Sequence, residues 1–133
     1  MDHWTEINVD GIFSYRDNIK IAHAVRTENT VYISGQIALD PDGNVVGEGD
    51  VEAQGDYIWS NIKKVLEGAG ATMDDIVKVF QFVVGQENFA GMSLSRRRVL
   101  GTEPLRAITA VVVSGLFKPE LLLEVDVIAV TKD

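Results

Sequence analysis

Between Pro104 and Val130 the chain reads PLRAITAVVVSGLFKPELLLEVDVIAV, two β-type runs separated by a stretch holding Gly115 and Pro119. This pattern predicts an antiparallel hairpin of two long strands. Side chains alternate across a strand, so Arg106, Ile108, Ala110 and Val112 share one face of the first. Leu122, Glu124, Asp126, Ile128 and Val130 share a face of the second. One arginine and two carboxylates therefore stand in rows of aliphatic side chains. Buried charge is costly unless it is paired or used, so these three residues carry either an ion pair or a site.

The rest of the chain supplies the elements that such a hairpin packs on. Residues 1–18 are poorly patterned and are expected to form an arm, tacked down by Trp4, Ile12 and Phe13. Asn18–Arg26 alternates as a strand and Val31–Ala38 as a second, with a turn at Glu28-Asn29 between them. Gly35 falls inside the second strand, where glycine marks a bulge or a close approach to a ligand. DPDGN at 40–44 is turn chemistry with Asp42-Gly43 at its tip. Asp50 fits the N-cap of a helix with Glu52 in its first turn. Ile58, Ile62, Val65, Leu66 and Ala69 make that helix's apolar stripe, ended by Gly68 and Gly70. Ile76–Val84 is a further strand. Residues 88–100 form a second helix, closed by Gly101, with Phe89, Met92, Val99 and Leu100 on its buried side.

This order, strands then helix, strand, helix and two strands, points to an α+β domain over residues 1–133. Ile76–Val84 and the final hairpin are apolar on both faces. Two helices cover one face of a sheet, so the second face calls for a partner subunit and predicts an obligate oligomer. A formal net charge of -8 repels nucleic acid and anionic membranes. The absence of cysteine excludes disulfides, thiolate catalysis and cysteine-bound metal. The acidic start MDHWTEINVD has no signal-peptide pattern, and no apolar run is long enough to span a bilayer, so a cytoplasmic protein is expected.

Several chemistries find no support. His3 and His23 are isolated and lack metal-ligand spacing, and no serine stands in a recognisable triad. Arg96-Arg97-Arg98 reads as a solvated helix face rather than an RNA patch. Arg106 has two readings. It is a strand-start arginine with its head in water, or a planar fork for a ligand carboxylate. Glu124 and Asp126 likewise serve solubility or an internal pair with Arg106, or else supply a general base whose pKa burial raises.

Four stretches in order carry a resemblance: SGQIALDPDGNVVG at 34–47, NIKKVLEGAGATMDDIVKVFQFV at 61–83, PLRA at 104–107 and LEVDVIAV at 123–130. Through them the chain resembles the RidA (YjgF) family of reactive-intermediate deaminases, some of whose members are called L-PSP endoribonucleases. The resemblance implies a mixed, mainly antiparallel six-stranded sheet packed on two helices, of the RidA/chorismate-mutase-like kind. It also implies a homotrimeric barrel with clefts between subunits. By the same resemblance Arg106 grips a substrate carboxylate, Glu124 positions or activates water, and Ser34 and Gly35 line the pocket. Ile21 stands where the family has a pocket tyrosine, which Tyr15 would replace from a shifted arm. Ser93 takes the place of a family asparagine and Ile108 that of a cysteine, and the segment leading to Pro104 is shorter. The implied activity is hydrolysis of small enamines or imines bearing a carboxylate to 2-oxo acids and ammonia, with no metal or organic cofactor. The rivals are a non-catalytic binder of small carboxylates and an L-PSP-type ribonuclease, the latter disfavoured by the acidic charge. The expected partners are therefore a small imine, enamine or 2-oxo acid and two further copies of the chain, with no nucleic acid and no membrane.

Overall fold

In the computed structural model, which describes residues 3–133, the chain runs β1 (Thr5–Ile7), α1 (Tyr15–Ile19), β2 (Ala24–Thr27), β3 (Thr30–Ile37), α2 (Val51–Gly68), β4 (Ile76–Val84), α3 (Phe89–Leu100), β5 (Ala107–Val113) and β6 (Leu123–Val130). The six strands make one sheet in the order β1-β2-β3-β6-β4-β5. Neighbours are antiparallel except β4 and β5, which run parallel. The α+β class and the mixed, mainly antiparallel six-stranded sheet are thus as expected. No helix among the described residues is long and apolar enough to cross a membrane.

Local chemistry explains most of the element ends. The β2–β3 hairpin turns at Glu28-Asn29, with Thr27 opposite Thr30 and Glu28 at φ 52°. At the next turn the Asp40 carboxylate accepts the backbone N–H groups of Asp42 (3.0 Å) and Asn44 (2.9 Å), and Gly43 takes the left-handed φ of 86° that the turn needs. Asp50 caps α2 by accepting from the Ala53 N–H at 3.1 Å. The stripe Ile58, Ile62, Val65 and Leu66 is fully buried against the sheet. Each such side chain is worth about 1.5–3 kcal/mol of apolar burial. Opposite it lie Val31, Val79, Val83, Leu123, Val125 and Val127, all buried. Gln54, on the first turns of α2, is also fully buried. Its amide donates to the carbonyls of Gly47 (3.2 Å) and Glu120 (3.0 Å) and accepts from the Leu122 N–H (2.8 Å). It thereby joins the start of α2 to the approach of β6.

The structure departs from the sequence reading in four places. The hairpin over Pro104–Val130 does not form, because β4 lies between β5 and β6. Helix α3 carries the chain back after β4, so β5 enters parallel to β4, as a strand–helix–strand crossover requires. The long segment from Ser114 to Leu122 then lets β6 pair on β4's other side. Arg106 itself precedes β5 rather than lying in it. The strand expected over Asn18–Arg26 begins only at Ala24. Upstream, Ser14 accepts from the Asp17 N–H and starts α1, which Lys20 ends in the left-handed conformation. Within the expected arm, Thr5–Ile7 pairs with β2 as a true edge strand, while Ile12 and Phe13 do pack on the core. Lastly, Val99 is 41% exposed, whereas Met92 is buried and Phe89 and Leu100 pack partly buried on the core as expected, with Ser95 buried beside them. A Cβ on Gly55 would clash with Ser95, so the close crossing of α2 and α3 selects a small side chain there and glycine opposite.

The two long helices, α2 and α3, lie over the same face of the sheet. On the other face Tyr32, Val111 and Val130 are exposed, and Phe80 and Phe82 stack half-buried with ring centroids 6.4 Å apart. The apolar character of both faces of β4 therefore corresponds, within one chain, to one covered and one open face.

Candidate functional site

The first part of the site is built on β3. Its register with β6 shifts between Ile33 and Gln36, so Ser34 and Gly35 sit at a bulge. Gly35 leaves the space that the Glu124 carboxylate occupies: a Cβ there would stand 2.8 Å from Glu124 Cδ and closer still to its Oε2, so the carboxylate would have to move. Tyr15, held by the capped α1, is buried and donates its hydroxyl to the Gly35 carbonyl at 2.7 Å. Burial above all, and then the charge of Glu124, push the Tyr15 hydroxyl above its usual pKa against an opposing backbone contact from Ile37. Its ring leans on Phe13 and on His23. His23 is structural: Nδ1 accepts from the Val9 N–H (3.1 Å), so Nε2 is the nitrogen that donates to Phe13 O (2.8 Å).

Together these elements enclose a cleft of about 320 Å³, lined by Tyr15, Ile19, Ile21, Ser34, Gly35, Ile37, Phe117 and Glu124. Burial raises the Glu124 carboxyl above its usual pKa, and the neighbouring charge of Asp126 adds to this. Among the described residues no hydrogen bond or ion pair engages that carboxylate, so its lone pairs are available to water or ligand. Asp126 lies on the same face of β6, opposite Phe80. Its carboxyl is also raised by burial, against the pull of Lys78. The Lys78 ammonium donates to Thr109 Oγ1 at 2.6 Å and lies 4.3 Å from the centre of the Phe80 ring. The Ser34 hydroxyl donates to Ala22 O at 2.8 Å and so is committed to holding β3 to the preceding loop.

The second part gathers around Arg106. Its Nε donates to Ile76 O at 2.8 Å, while Nη1 and Nη2 reach Pro104 O and Met73 O only at 3.4 and 3.5 Å. The short bond fixes the plane of the guanidinium; the two long ones are weak and leave its outer edge free to bind. Arg106, Ile108, Arg96 and Arg97 line a cavity of about 180 Å³ with Leu100, Gly101, Thr102, Pro104 and Leu105.

The two parts are far apart in one chain. Glu124 is level with Phe82 on β4, which is level with Val111 on β5, whereas Arg106 precedes Ala107, level with Lys78. From Arg106 to Val111 is roughly 16 Å along the strand, with two inter-strand steps besides. The internal Arg106–Glu124 or Arg106–Asp126 pair is therefore not made. Of the residues singled out from sequence, Ile21, Ser34, Gly35 and Glu124 come together, with Tyr15, in one cleft. Arg106 and Ile108 meet in the other cavity, and Ser93 on α3 lines neither. The arginine run is not one solvated face. Arg98 pairs with Glu52 and Asp56, whereas Arg96 bends inward to Gln81. Spacing held that signal, since Arg96 stands four residues after the buried Met92 and so on the same helix face.

Comparison with known proteins adds a second line of evidence. The family model described as Endoribonuclease L-PSP matches residues 19–131. A RutC family protein of Pyrococcus abyssi is 35% identical over 108 residues, 81% of this chain and 84% of the relative. The crystal structure of RidA from the Antarctic bacterium Psychrobacter sp. PAMC 21119 superposes with a TM-score of 0.85 at 30% identity, covering 96% of this chain and 99% of that one. A protein of unknown function of the conserved Rid family, YyfA from Yersinia pestis, gives a TM-score of 0.87 at 30% identity over 96% and 99% of the two chains.

Proposed function

The chain belongs to the endoribonuclease L-PSP family, that of the Rid (YjgF) proteins, and from that premise we propose that it hydrolyses small imines bearing a carboxylate to 2-oxo acids and ammonia. The observation that carries this reading is the Glu124 carboxylate: unengaged, raised in pKa by burial, and seated on Gly35 in a mostly apolar cleft. An enamine substrate first tautomerises to the imine. Water then adds to the C=N carbon as Glu124 takes one of its protons. Return of that proton to nitrogen gives the carbinolamine, and transfer of its hydroxyl proton to nitrogen, again by way of Glu124, lets ammonia leave as the C–N bond breaks and the carbonyl forms. Imines of this kind already hydrolyse in water, so positioning and modest proton transfer are enough. Tyr15 serves as a fixed wall rather than an acid, since its hydroxyl is bound to Gly35 O. Ile21 and Phe117 give the substrate side chain an apolar lining.

Arg106 is the carboxylate grip in this reading, and it cannot reach Glu124 within its own chain. We therefore take the working form to be a cytoplasmic homotrimer. Its open sheet faces, with Phe80, Phe82, Tyr32 and Val111, pack together, and Arg106 of one subunit approaches the Glu124 cleft of the next. No metal or organic cofactor enters the reaction as written, and no nucleic acid or membrane is proposed as a partner.

The test is a set of three variants assayed for ammonia release from freshly generated imines, for 2-oxo acid affinity and for melting. Arg106→Ala abolishes both turnover and binding while the protein stays folded. Arg106→Lys recovers little, because an ammonium lacks the planar fork. Glu124→Gln keeps most of the affinity and loses turnover. A folded, fully active Arg106→Ala protein would sink the mechanism, and a monomer by sedimentation equilibrium at low micromolar concentration would remove the shared cleft.

A further inference from the structure

In a chain of net charge -8, the cavity beside Arg106 is a local exception. Three guanidinium groups, those of Arg96, Arg97 and Arg106, line about 180 Å³, and no carboxylate lines it with them. Among the described residues none of the three takes part in an ion pair, although Arg98 on the same helix takes two. Arg96 is drawn inward by a 2.7 Å bond from Nη1 to Gln81 Oε1. Gln81 is 1% exposed, and its amide nitrogen has no hydrogen-bond partner. Burial, and then repulsion from Arg97, make the Arg96 guanidinium easier to deprotonate than an ordinary arginine. Positive charge gathered without a counter-charge, with Arg96 and Arg106 partly buried, is unfavourable until an anion arrives, and a guanidinium offers that anion a two-pronged bond.

A single carboxylate has two oxygens, and one arginine fork satisfies both. Arg106 alone would serve the 2-carboxylate of the proposed substrate and leave Arg96 and Arg97 uncompensated. We infer that Arg96 and Arg97 bind a second anionic group on the substrate, so that the preferred substrates are imines of dianionic 2-oxo acids. The cavity volume corresponds to roughly six waters, room for a second carboxylate on a short methylene chain. The apolar side of Ile108 forms part of its wall. This inference rests on the reading that Arg106 holds the 2-carboxylate, and it goes further by naming the substrate class. A terminal phosphate has the same chemistry as a terminal carboxylate at this place.

The experiment titrates the wild-type protein with 2-oxobutanoate, 2-oxoglutarate and inorganic phosphate by calorimetry, then repeats this on Arg97→Gln and on Arg96→Gln/Arg97→Gln. Wild-type protein is expected to bind 2-oxoglutarate about tenfold or more tightly than 2-oxobutanoate, the worth of one good charged contact. The double variant should erase that preference and leave 2-oxobutanoate affinity within about twofold. Arg97 is exposed, so Arg97→Gln leaves the fold intact and by itself should lower the preference. Competition by phosphate that the double variant abolishes would extend the class to phosphorylated 2-oxo acids; without it the second group is a carboxylate. Binding of both 2-oxo acids with equal affinity overturns this inference and spares the proposed reaction. Binding of neither overturns both. Dissociation of the oligomer on Arg96→Gln/Arg97→Gln would show that a neighbouring chain's acid fills the cavity, and overturns the inference as well.

Discussion

Replacing Gly35 by alanine tests the centre of the site without touching a charged group. Gly35 is outside the left-handed region of φ, so its backbone accepts alanine. What refuses the methyl is the Glu124 side chain, the source of all three nearest atoms. With Cδ 2.8 Å and Cγ 3.0 Å from the new carbon, and ordinary contact beginning near 3.4 Å, the carboxylate must withdraw by several tenths of an ångström to roughly 1 Å. Overpacking of this size costs about 1–3 kcal/mol, or roughly 4–11 °C in melting temperature for a chain of this length. A shift near 1 Å in a reacting group costs about 10²-fold in turnover, while affinity for 2-oxo acids, which depends on Arg106, changes little. In a Glu124→Ala background the obstruction is gone, and the same Gly→Ala change should instead stabilise by about 0.4–1 kcal/mol through the unfolded chain. The coupling energy between the two positions is then about 1.4–4 kcal/mol. Matched urea melts of the four proteins at one concentration measure it. Equal costs of Gly35→Ala in both backgrounds would refute the argument that the glycine exists to seat the carboxylate.

The pH dependence of stability follows from the same residue. The folded Glu124 carboxyl binds its proton more tightly than the ordinary value of 4.5. Its contribution is therefore fully present below that pH and is lost as pH rises through the folded value. Glu124→Gln should melt higher than wild type at pH 7 and match it below about pH 4; calorimetric scans from acid to neutral pH that show the reverse order would contradict the assignment. Gln54→Leu removes three buried hydrogen bonds and strands the Glu120 carbonyl and the Leu122 N–H, while the Gly47 carbonyl keeps the Asp50 N–H, at about 2–4 kcal/mol or roughly 7–14 °C. A shift under a few degrees would mean that the loops before α2 and β6 find other partners.

What was legible in the sequence was governed by neighbours in the chain. Asp50 caps its helix and Asp40 its turn because each acceptor meets backbone N–H groups only a few residues away. Glu124 and Asp126 share a face because alternation along a strand is a local rule. Alternation says nothing of which strand lies beside which, so β5 and β6 read as a hairpin although β4 divides them. Asn18–Arg26 alternated well, but one hydrogen bond from Asp17 to Ser14 chose a helix for the first part of it. The family resemblance selected Arg106 and Glu124 residue by residue. It gave no notice of Arg96 and Arg97, whose cavity exists only because the chain folds back from Gly101 to Arg106.

The strand order also bears on how the chain comes into being. β6 is made after the other five strands of the sheet, yet it lies between β3 and β4 in its middle. Before it arrives, the strands of the nascent chain fall into two sets that do not pair with each other: the β1-β2-β3 meander and the parallel β4–β5 pair, with α2 packed on β3 and on α3. Neither has a partner for the strand edge that β6 will fill, and the apolar rows of β3 and β4 stay accessible to other chains. Vectorial synthesis therefore cannot lock the fold in stages, and completion is a single late insertion that closes long loops. Non-local pairing of that kind places folding towards the slow, millisecond-to-second end of small domains. It also makes the half-made chain the form most in need of protection from aggregation.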